Sequence, residues 1–367
     1  MGKNRKVSSS REDQAPDENG FDMVKISMTA GALAGAVARF VVGPLDVIKI
    51  RFQVQLEPIT AVGAAPSKYK SLAHAFKTIV KEEGIQALWR GTIPGQLLTI
   101  PYTAVQFMTL QHCKHIALDH GLATHSVTPF LSGALAGAAG TVASYPFDLL
   151  RTTLAAQGEP KVYAGMLDAA RGIMKESGVR GLYRGMGITV LEIMPYAALQ
   201  FGLYDVFNSI ADDMRRGDRM YIGEQKLNSK GGRKESANEP LPSSALQSFI
   251  CGLAAGALAK LGTHPLDVVK KRFQVAGLQR SAAYGERVSS QVAASFLMCL
   301  QSIAQKEGLG GFYKGAMPSL LKAAPSAAVT FACYDFFLRT LTARKDEKAA
   351  AAAMATTGNK ASAPRLH

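Results

Sequence analysis

Pro44-Leu45-Asp46-Val47-Ile48-Lys49 sets a pattern that this chain writes three times: a proline, an acid two residues later and a base three after that. The second copy is Pro146-Phe147-Asp148-Leu149-Leu150-Arg151, and the third is Pro265-Leu266-Asp267-Val268-Val269-Lys270. Thirteen residues before each proline stands a glycine, with another four further on: Gly31 and Gly35, Gly133 and Gly137, Gly252 and Gly256. Small residues at that spacing let helices approach closely in lipid. Downstream, each copy carries an aromatic, a base and a glycine: Trp89-Arg90-Gly91, Tyr183-Arg184-Gly185 and Tyr313-Lys314-Gly315. Each then ends in a second apolar stretch, around Pro101, Pro195 and Pro325. Landmarks in one order, three times over, identify a tandem repeat, and a repeat decides the fold before any single element does.

Each copy offers two apolar spans, at 24–53 and 92–116, 126–156 and 186–210, 244–274 and 316–341, long enough for a bilayer core of about 30 Å. The expected fold is therefore an all-α membrane protein with six transmembrane helices. Repeats occupy 22–120, 121–211 and 243–341, and shorter amphipathic stretches near 70–82, 164–176 and 291–306 suit helices lying in the interface. Residues 1–21 and 342–367 read as polar or low-complexity tails and 212–242 as a solvent loop. An even number of spans puts both termini on one side.

Composition agrees with a membrane class. With 47% hydrophobic and 19% charged residues the chain is too apolar for an ordinary water-soluble protein. A net charge of +14 calls for an anionic partner. Nucleic acid is disfavoured, because the basic residues are spread through matched positions and are not interleaved with aromatics on one domain. Cys113, Cys251, Cys299 and Cys333 form no CxxC pair, so neither a disulfide frame nor a metal site is expected. There is no phosphate-loop, HExxH or GxSxG sequence, and Gly185-Met186-Gly187 is too short for a dinucleotide fingerprint, so the chain is not expected to be an enzyme.

A proline within a membrane helix removes a backbone hydrogen bond and kinks the helix. Kinks at Pro44, Pro146 and Pro265 would bring three helix ends together, with Asp46, Asp148 and Asp267 level with Lys49, Arg151 and Lys270. Such a ring of inter-helix ion pairs closes a channel and yields little net stability, as a gate requires. The alternative is helix-end charges at the water boundary. Gln53 and Gln274 lie one turn beyond Lys49 and Lys270, placed to brace the ring; the second copy has Ala155 there.

Seven residues before the acids come Arg39, Thr141 and Lys260, roughly 20° away around an ideal helix. Two cations facing a lumen imply an anionic cargo, the alternative being snorkelling to headgroups. Three residues before the second-span prolines stand Leu98, Glu192 and Lys322, with neighbours Thr99, Ile193 and Ala323. Glu192 and Lys322 either pair with each other or contact opposite ends of a zwitterionic cargo. Ten residues past those prolines come Gln111, Asp205 and Asp335, with Lys114 three beyond the first, a second gate in outline.

These motifs in three tandem copies, over about residues 24–341, resemble the mitochondrial carrier family. The resemblance implies a pseudo-threefold bundle in the mitochondrial inner membrane, acting as a monomer, that exchanges small solutes by alternating access. Asp46, Asp148, Asp267 and their bases would form the matrix gate, and Gln111, Lys114, Asp205 and Asp335 the cytosolic one. Both termini would face the intermembrane space. It also implies cargo contact at Leu98/Thr99, Glu192/Ile193 and Lys322/Ala323, with Arg39 below. Cardiolipin would bind at Trp89-Arg90-Gly91, Tyr183-Arg184-Gly185 and Tyr313-Lys314-Gly315, where helix N-termini can hold phosphate.

Three positions depart from the family pattern: Ser177 replaces an acid, Thr153 replaces a base matched by Arg51 and Arg272, and Lys114 is the lone base of the cytosolic gate. These departures bear on the strength of each gate. The runs Pro44–Gln55 and Pro318–Ala324 are similar to those of family members that carry thiamine pyrophosphate. Import of that cargo, in exchange for a thiamine phosphate or a nucleotide, is the expectation. Arg39, Lys260 and Lys322 would hold the diphosphate and Glu192 would face the cationic ring. Carriage of nucleotides or coenzyme A, and a non-transporting scaffold that kept the fold, are the rival readings.

Overall fold

A computed structural model describes residues 18–57, 67–120, 128–227, 245–279, 288 and 295–361. Among them regular structure is helical throughout: α1 (Glu18–Val54), α2 (Leu72–Glu83), α3 (Thr92–Leu97), α4 (Thr99–Asp119), α5 (Thr128–Ala156), α6 (Met166–Leu182), α7 (Met186–Leu227), α8 (Ala245–Val275), α9 (Phe296–Glu307), α10 (Ala316–Leu321) and α11 (Ala323–Ala361). Single 3-10 turns at Ile85–Trp89 and Leu309–Tyr313 follow α2 and α9. In the second copy the corresponding break is Gly178, at φ 63° inside α6. Gly84 and Gly308 take φ 81° and 66° at the same place, a region open to glycine because it has no Cβ.

Among the described residues three helices are long and apolar enough to cross a membrane: Lys25–Val54, Met186–Arg215 and Gln247–Val275. The other expected spans correspond to α3 with α4, to α5, and to α10 with α11; the first and last of these are each interrupted, at Leu98 and Lys322. Pro44, Pro146 and Pro265 lie inside α1, α5 and α8, and the helical run continues through each. Several boundaries differ from those read in the sequence. Helix α1 begins within the supposed tail, α7 continues to Leu227 through much of the supposed solvent loop, and α11 continues to Ala361. The alanine run is a strong helix former, and polarity alone does not stop a helix that lacks a proline or a cap. Residues 1–17, 228–244 and 362–367 lie outside the described residues.

Two compact units are present. One comprises the described residues up to Val41 together with those from Ser326 onward; the other is Val42–Pro325. In the first unit, a Cβ built on Gly31 of α1 would meet the Tyr334 ring of α11 at 4.0 Å. In the second, Gly252 of α8 approaches Tyr204 of α7 at 3.9 Å in the same way. There α4 packs along α5 and α7 along α8, with α3 against α5 and α10 against α8.

The core of the second unit lies where α1, α5 and α8 end. Val47, Ile50 and Val54 pack with Ala155 and Ala156 and with Val275, Ala276 and Val288. Three further clusters dock the interfacial helices beside it: α2 on Ile48 and Phe52, α6 on Leu150 and Leu154, and α9 on Val268 and Val269. Each docking helix is amphipathic; in α2, Ala75 and Ile79 are buried one turn apart while Lys77 and Lys81 face out.

Candidate functional site

In a helix, residues three apart share a face, so each acid and base of the repeated motif project together. They do not pair within their own helix. Lys49 Nζ lies 2.7 Å from Asp267 Oδ2, Arg151 pairs with Asp46, and Lys270 Nζ lies 3.3 Å from Asp148 Oδ2. The first copy's base thus meets the third copy's acid, the second's base the first's acid, and the third's base the second's acid. The cycle closes, and all six side chains lie in the Val42–Pro325 unit. Gln53 Nε2 donates to Asp267 Oδ2 at 3.2 Å and Gln274 Nε2 to Asp148 Oδ2 at 2.9 Å. Gln53 Oε1 is buried with no hydrogen-bond partner among the described residues.

Every acid of the cycle also holds a second base. Asp46 accepts from Lys322 Nζ at 2.6 Å, Asp267 lies 3.1 Å from Lys260 Nζ, and Asp148 lies 3.4 Å from Lys271 Nζ. Lys271 is buried, donating also to Thr152 Oγ1 at 2.8 Å and Gln274 Oε1 at 2.9 Å. The repeat frame passed over it, because the matching positions hold Ile50 and Thr152.

Beside the ring is a cavity of about 630 Å³, within the roughly 300–1,000 Å³ range of small-molecule sites. Its lining brings together Leu98, Glu192, Ile193, Lys260, Lys322 and Ala323 from the positions singled out in the sequence, together with Lys49, Asp148 and Lys270 of the ring. Thr99, half-buried at the start of α4, is not among the lining residues, and half-buried Arg39 belongs to the other unit. Glu192 and Lys322 do not pair with each other. Glu192 Oε1 accepts from Lys260 Nζ at 3.0 Å, while Lys322, at the break between α10 and α11, reaches Asp46 instead. Lys260 is likewise not an isolated cation, holding Asp267 as well as Glu192. The sequence reading had missed the aromatic lining: Tyr102 and Tyr196 enter the cavity, and Lys260 Nζ sits 6.0 Å from the Tyr196 ring centroid. Their signal was Pro-Tyr in the first two copies against Pro325-Ser326 in the third.

The aromatic-base-glycine segments fasten each copy to the next. A Cβ on Gly91 would lie 2.5 Å from the Arg151 carbonyl oxygen, one on Gly185 3.6 Å from that of Lys270, and one on Gly315 2.9 Å from that of Lys49. All three glycines have φ between 80° and 84°. The motif glycines therefore seat the backbone of the ring's three bases. The aromatics stack on the residue before each motif proline: Tyr183 on Tyr145 at 6.0 Å and Tyr313 on His264 at 6.3 Å. In the first copy that residue is Gly43, which leaves room for Trp89, 3.0 Å from a built Cβ.

The motif bases point inward. Arg90 pairs with Glu83 and with Glu159 of the second copy, and Lys314 with Glu307 and the carbonyls of Gln55 and Glu57 of the first. Burial pushes the Lys314 ammonium pKa down, against the nearby Glu307 carboxylate.

Arg51 joins the first of these clusters, donating to Glu83 Oε2 at 2.8 Å and to the second copy's Ala155 and Gln157 carbonyls at 3.0 and 2.8 Å. Arg272 repeats this with Glu307 at 2.8 Å and the first copy's Gln53 and Gln55 carbonyls at 3.2 and 3.3 Å. In the second copy both partners are replaced, by Thr153 and Ser177. Arg184 spans the junction to the Ala276 carbonyl, and donates to Ser177 Oγ at 3.1 Å. These two departures fall at the second copy's counterpart of the inter-repeat latch that Arg51 and Glu83 form in the first.

Gln111, Lys114 and Asp205 are exposed, and no ion pair joins Lys114 to Asp205 among the described residues. Asp335 is exposed too, paired with Arg339 of its own helix at 2.9 Å.

Residues 23–121, 123–214 and 241–345 each match the family described as mitochondrial carrier protein, one match to each copy of the repeat. The chain belongs to the mitochondrial carrier family. This carrier is 47% identical over 323 residues to the mitochondrial thiamine diphosphate carrier 2 of Zea mays, covering 85% of this chain and 92% of the relative. It is 47% identical over 322 residues to the mitochondrial thiamine diphosphate carrier 1 of Arabidopsis thaliana, covering 84% and 92%. The mitochondrial thiamine pyrophosphate carrier of Homo sapiens is 35% identical over 328 residues, covering 89% and 94%. The chain is a mitochondrial solute carrier with the all-α fold of its family.

Proposed function

We propose that this carrier imports thiamine pyrophosphate across the mitochondrial inner membrane by alternating-access exchange, against a thiamine phosphate or a nucleotide. The observation that carries the reading is the charge of the cavity wall: Lys49, Lys260, Lys270 and Lys322 face it against Asp148 and Glu192, an excess of two positive charges. A diphosphate joined to a cationic ring is a net anion with one positive end. Lys260 and Lys322 suit the phosphates, and Glu192 with Tyr196 suits the ring, since a carboxylate and an aromatic face both attract a cation. The names of relatives from plant and human sources point to the same cargo.

The ion-pair cycle of Asp46, Asp148 and Asp267 with Lys49, Arg151 and Lys270 serves as the matrix gate, braced by Gln53 and Gln274. Gln111, Lys114, Asp205 and Asp335 serve the opposite gate. Both termini then face the intermembrane space. Cardiolipin binds at the turns opening after Gly91, Gly185 and Gly315, through backbone N–H groups, because Arg90, Arg184 and Lys314 are engaged inside the protein. Uptake of labelled thiamine pyrophosphate into liposomes holding the protein, with nucleotides and coenzyme A as competitors, tests the cargo. Saturable uptake of thiamine pyrophosphate is expected; uptake of nucleotide without thiamine pyrophosphate overturns the reading.

A further inference from the structure

The interfacial helix of the second copy carries a serine where its counterparts carry an acid. Seven residues separate Glu83 from Arg90, Ser177 from Arg184 and Glu307 from Lys314. In the first and third copies the acid pairs with the base. In the second, Arg184 donates to Ser177 Oγ at 3.1 Å, and no acid pairs with Arg184 among the described residues. Burial separates the three positions as well. The Glu83 and Glu307 side chains are 0% and 1% exposed, whereas Ser177 is exposed, as are Lys175 and Arg180 on either side of it. Ser177 is thus a hydroxyl held by an arginine, open to an enzyme in water, at a junction that lacks the anion present at the other two.

We propose that Ser177 is a phosphorylation site, and that its phosphate takes at Arg184 the place that the Glu83 and Glu307 carboxylates hold at Arg90 and Lys314. In the transfer, Ser177 Oγ bonds to the γ-phosphorus of ATP held by a protein kinase. The bond from that phosphorus to the β,γ-bridging oxygen breaks, ADP leaves, and the hydroxyl proton passes to the kinase. The product suits the site. The terminal oxygens of phosphoserine stand the same number of bonds from Cβ as those of glutamate, so they reach the guanidinium from the same backbone position. A phosphate carries about −1.5 to −2 charge at pH 7, more than Arg184 offsets, and Lys175 and Arg180 add cations close by in the chain. A negative charge just before the Gly178 break, at the end of a helical run, is unfavourable without a partner. Glu83 and Glu307 stand at the same place, before Gly84 and Gly308, and are held there by their bases.

The consequence is a tie between copies that can be made after synthesis. Arg184 also donates to the Ala276 carbonyl of the third copy. A phosphate on Ser177 therefore fastens α6 to that crossing, as Glu83 fastens α2 through Arg90 to the second copy. Neither Ser177 nor Arg184 lines the cavity, and the inference holds whichever solute is carried.

Two measurements on the full-length carrier test it. Carrier isolated from mitochondria with phosphatase inhibitors present is digested and read by mass spectrometry. A peptide phosphorylated at Ser177 is expected; recovery of the Ser177 peptide in its unmodified form only overturns the assignment. Recombinant carrier with phosphoserine incorporated at position 177 is then compared in detergent with the unphosphorylated chain, each with Arg184 and as R184Q. Phosphoserine should raise the unfolding midpoint by about 2–4 °C where Arg184 is present, the gain of charge-assisted hydrogen bonds, and should not raise it in R184Q. Should R184Q not fold, phosphorus NMR of the phosphoserine carrier decides: beside a guanidinium the second phosphate ionisation should fall by about one unit or more from its ordinary value of about 6. An unchanged midpoint, a rise that persists in R184Q, or an ionisation left at about 6 overturns the pairing with Arg184.

Discussion

Asp46 sits between Arg151 and Lys322, so reversing its charge sets three cations together where the structure has one anion between two bases. D46K is expected to abolish exchange in liposomes while the protein remains in the membrane fraction; normal exchange by that variant removes the gate. At Gly91 the constraint is steric as well as conformational. G91A would force a Cβ against the Arg151 carbonyl from a backbone with φ 81°. A strained non-glycine residue of this kind costs about 1–3 kcal/mol before the clash is counted. A fall of several degrees in the unfolding midpoint in detergent is expected, with exchange reduced because the Arg151 backbone shifts. Cys299 is wholly buried, and burial pushes its thiol pKa up to about 11. Since the thiolate is the reactive form, Cys299 should resist maleimide at pH 7.5 in the folded carrier and react after denaturation, read by peptide mass spectrometry.

At the scale of elements, what distinguishes the copies is how each interfacial helix is tied to the next repeat. Glu83 at the end of α2 and Glu307 at the end of α9 are buried between two bases each, with 0% and 1% of the side chain exposed. Neutralising such a carboxylate takes from the buried arginine beside it its counter-ion, a loss of about 3–5 kcal/mol. E83Q and E307Q are therefore expected to lower the unfolding midpoint strongly, whereas S177A, at the exposed equivalent position on α6, should change stability by less than about 0.5 kcal/mol. Thermal unfolding of the three variants in one detergent makes the comparison; equal effects would show that the missing second latch is replaced by contacts of equal worth. Why the second copy lost both members together is legible only once Arg51 and Glu83 are seen to touch. In the sequence Thr153 and Ser177 are two unrelated departures 24 residues apart.

For the whole molecule, stability is expected to be concentrated on one side of the cavity. The ring is buried or half-buried, and its glutamines and the apolar cluster of Val47, Val54, Ala155 and Val275 are buried, while Lys114 and Asp205 are exposed and unpaired with each other. K114A should leave the unfolding midpoint of the cargo-free carrier unchanged within error while slowing exchange; D267N, which strips Lys49 and Lys260 of their shared partner, should lower it by several degrees. An equal drop in both variants would mean the two sides are closed alike.

The threefold repeat, the membrane class, the carrier family and the charged positions at matched heights were all determined by sequence alone. They depend on periodic spacing, and spacing survives without coordinates. Which base meets which acid was not, because a helix presents its residues without saying which neighbour faces them. The cyclic order of the ring, the recruitment of Lys260, Lys271 and Lys322 to its acids, and the seating of Arg151, Lys270 and Lys49 on three glycines were decided by tertiary structure. These are contacts between copies, set by packing that no single repeat contains. The proline, acid and base that begin at Pro44 name the ring; the helices brought beside them decide which charges it pairs.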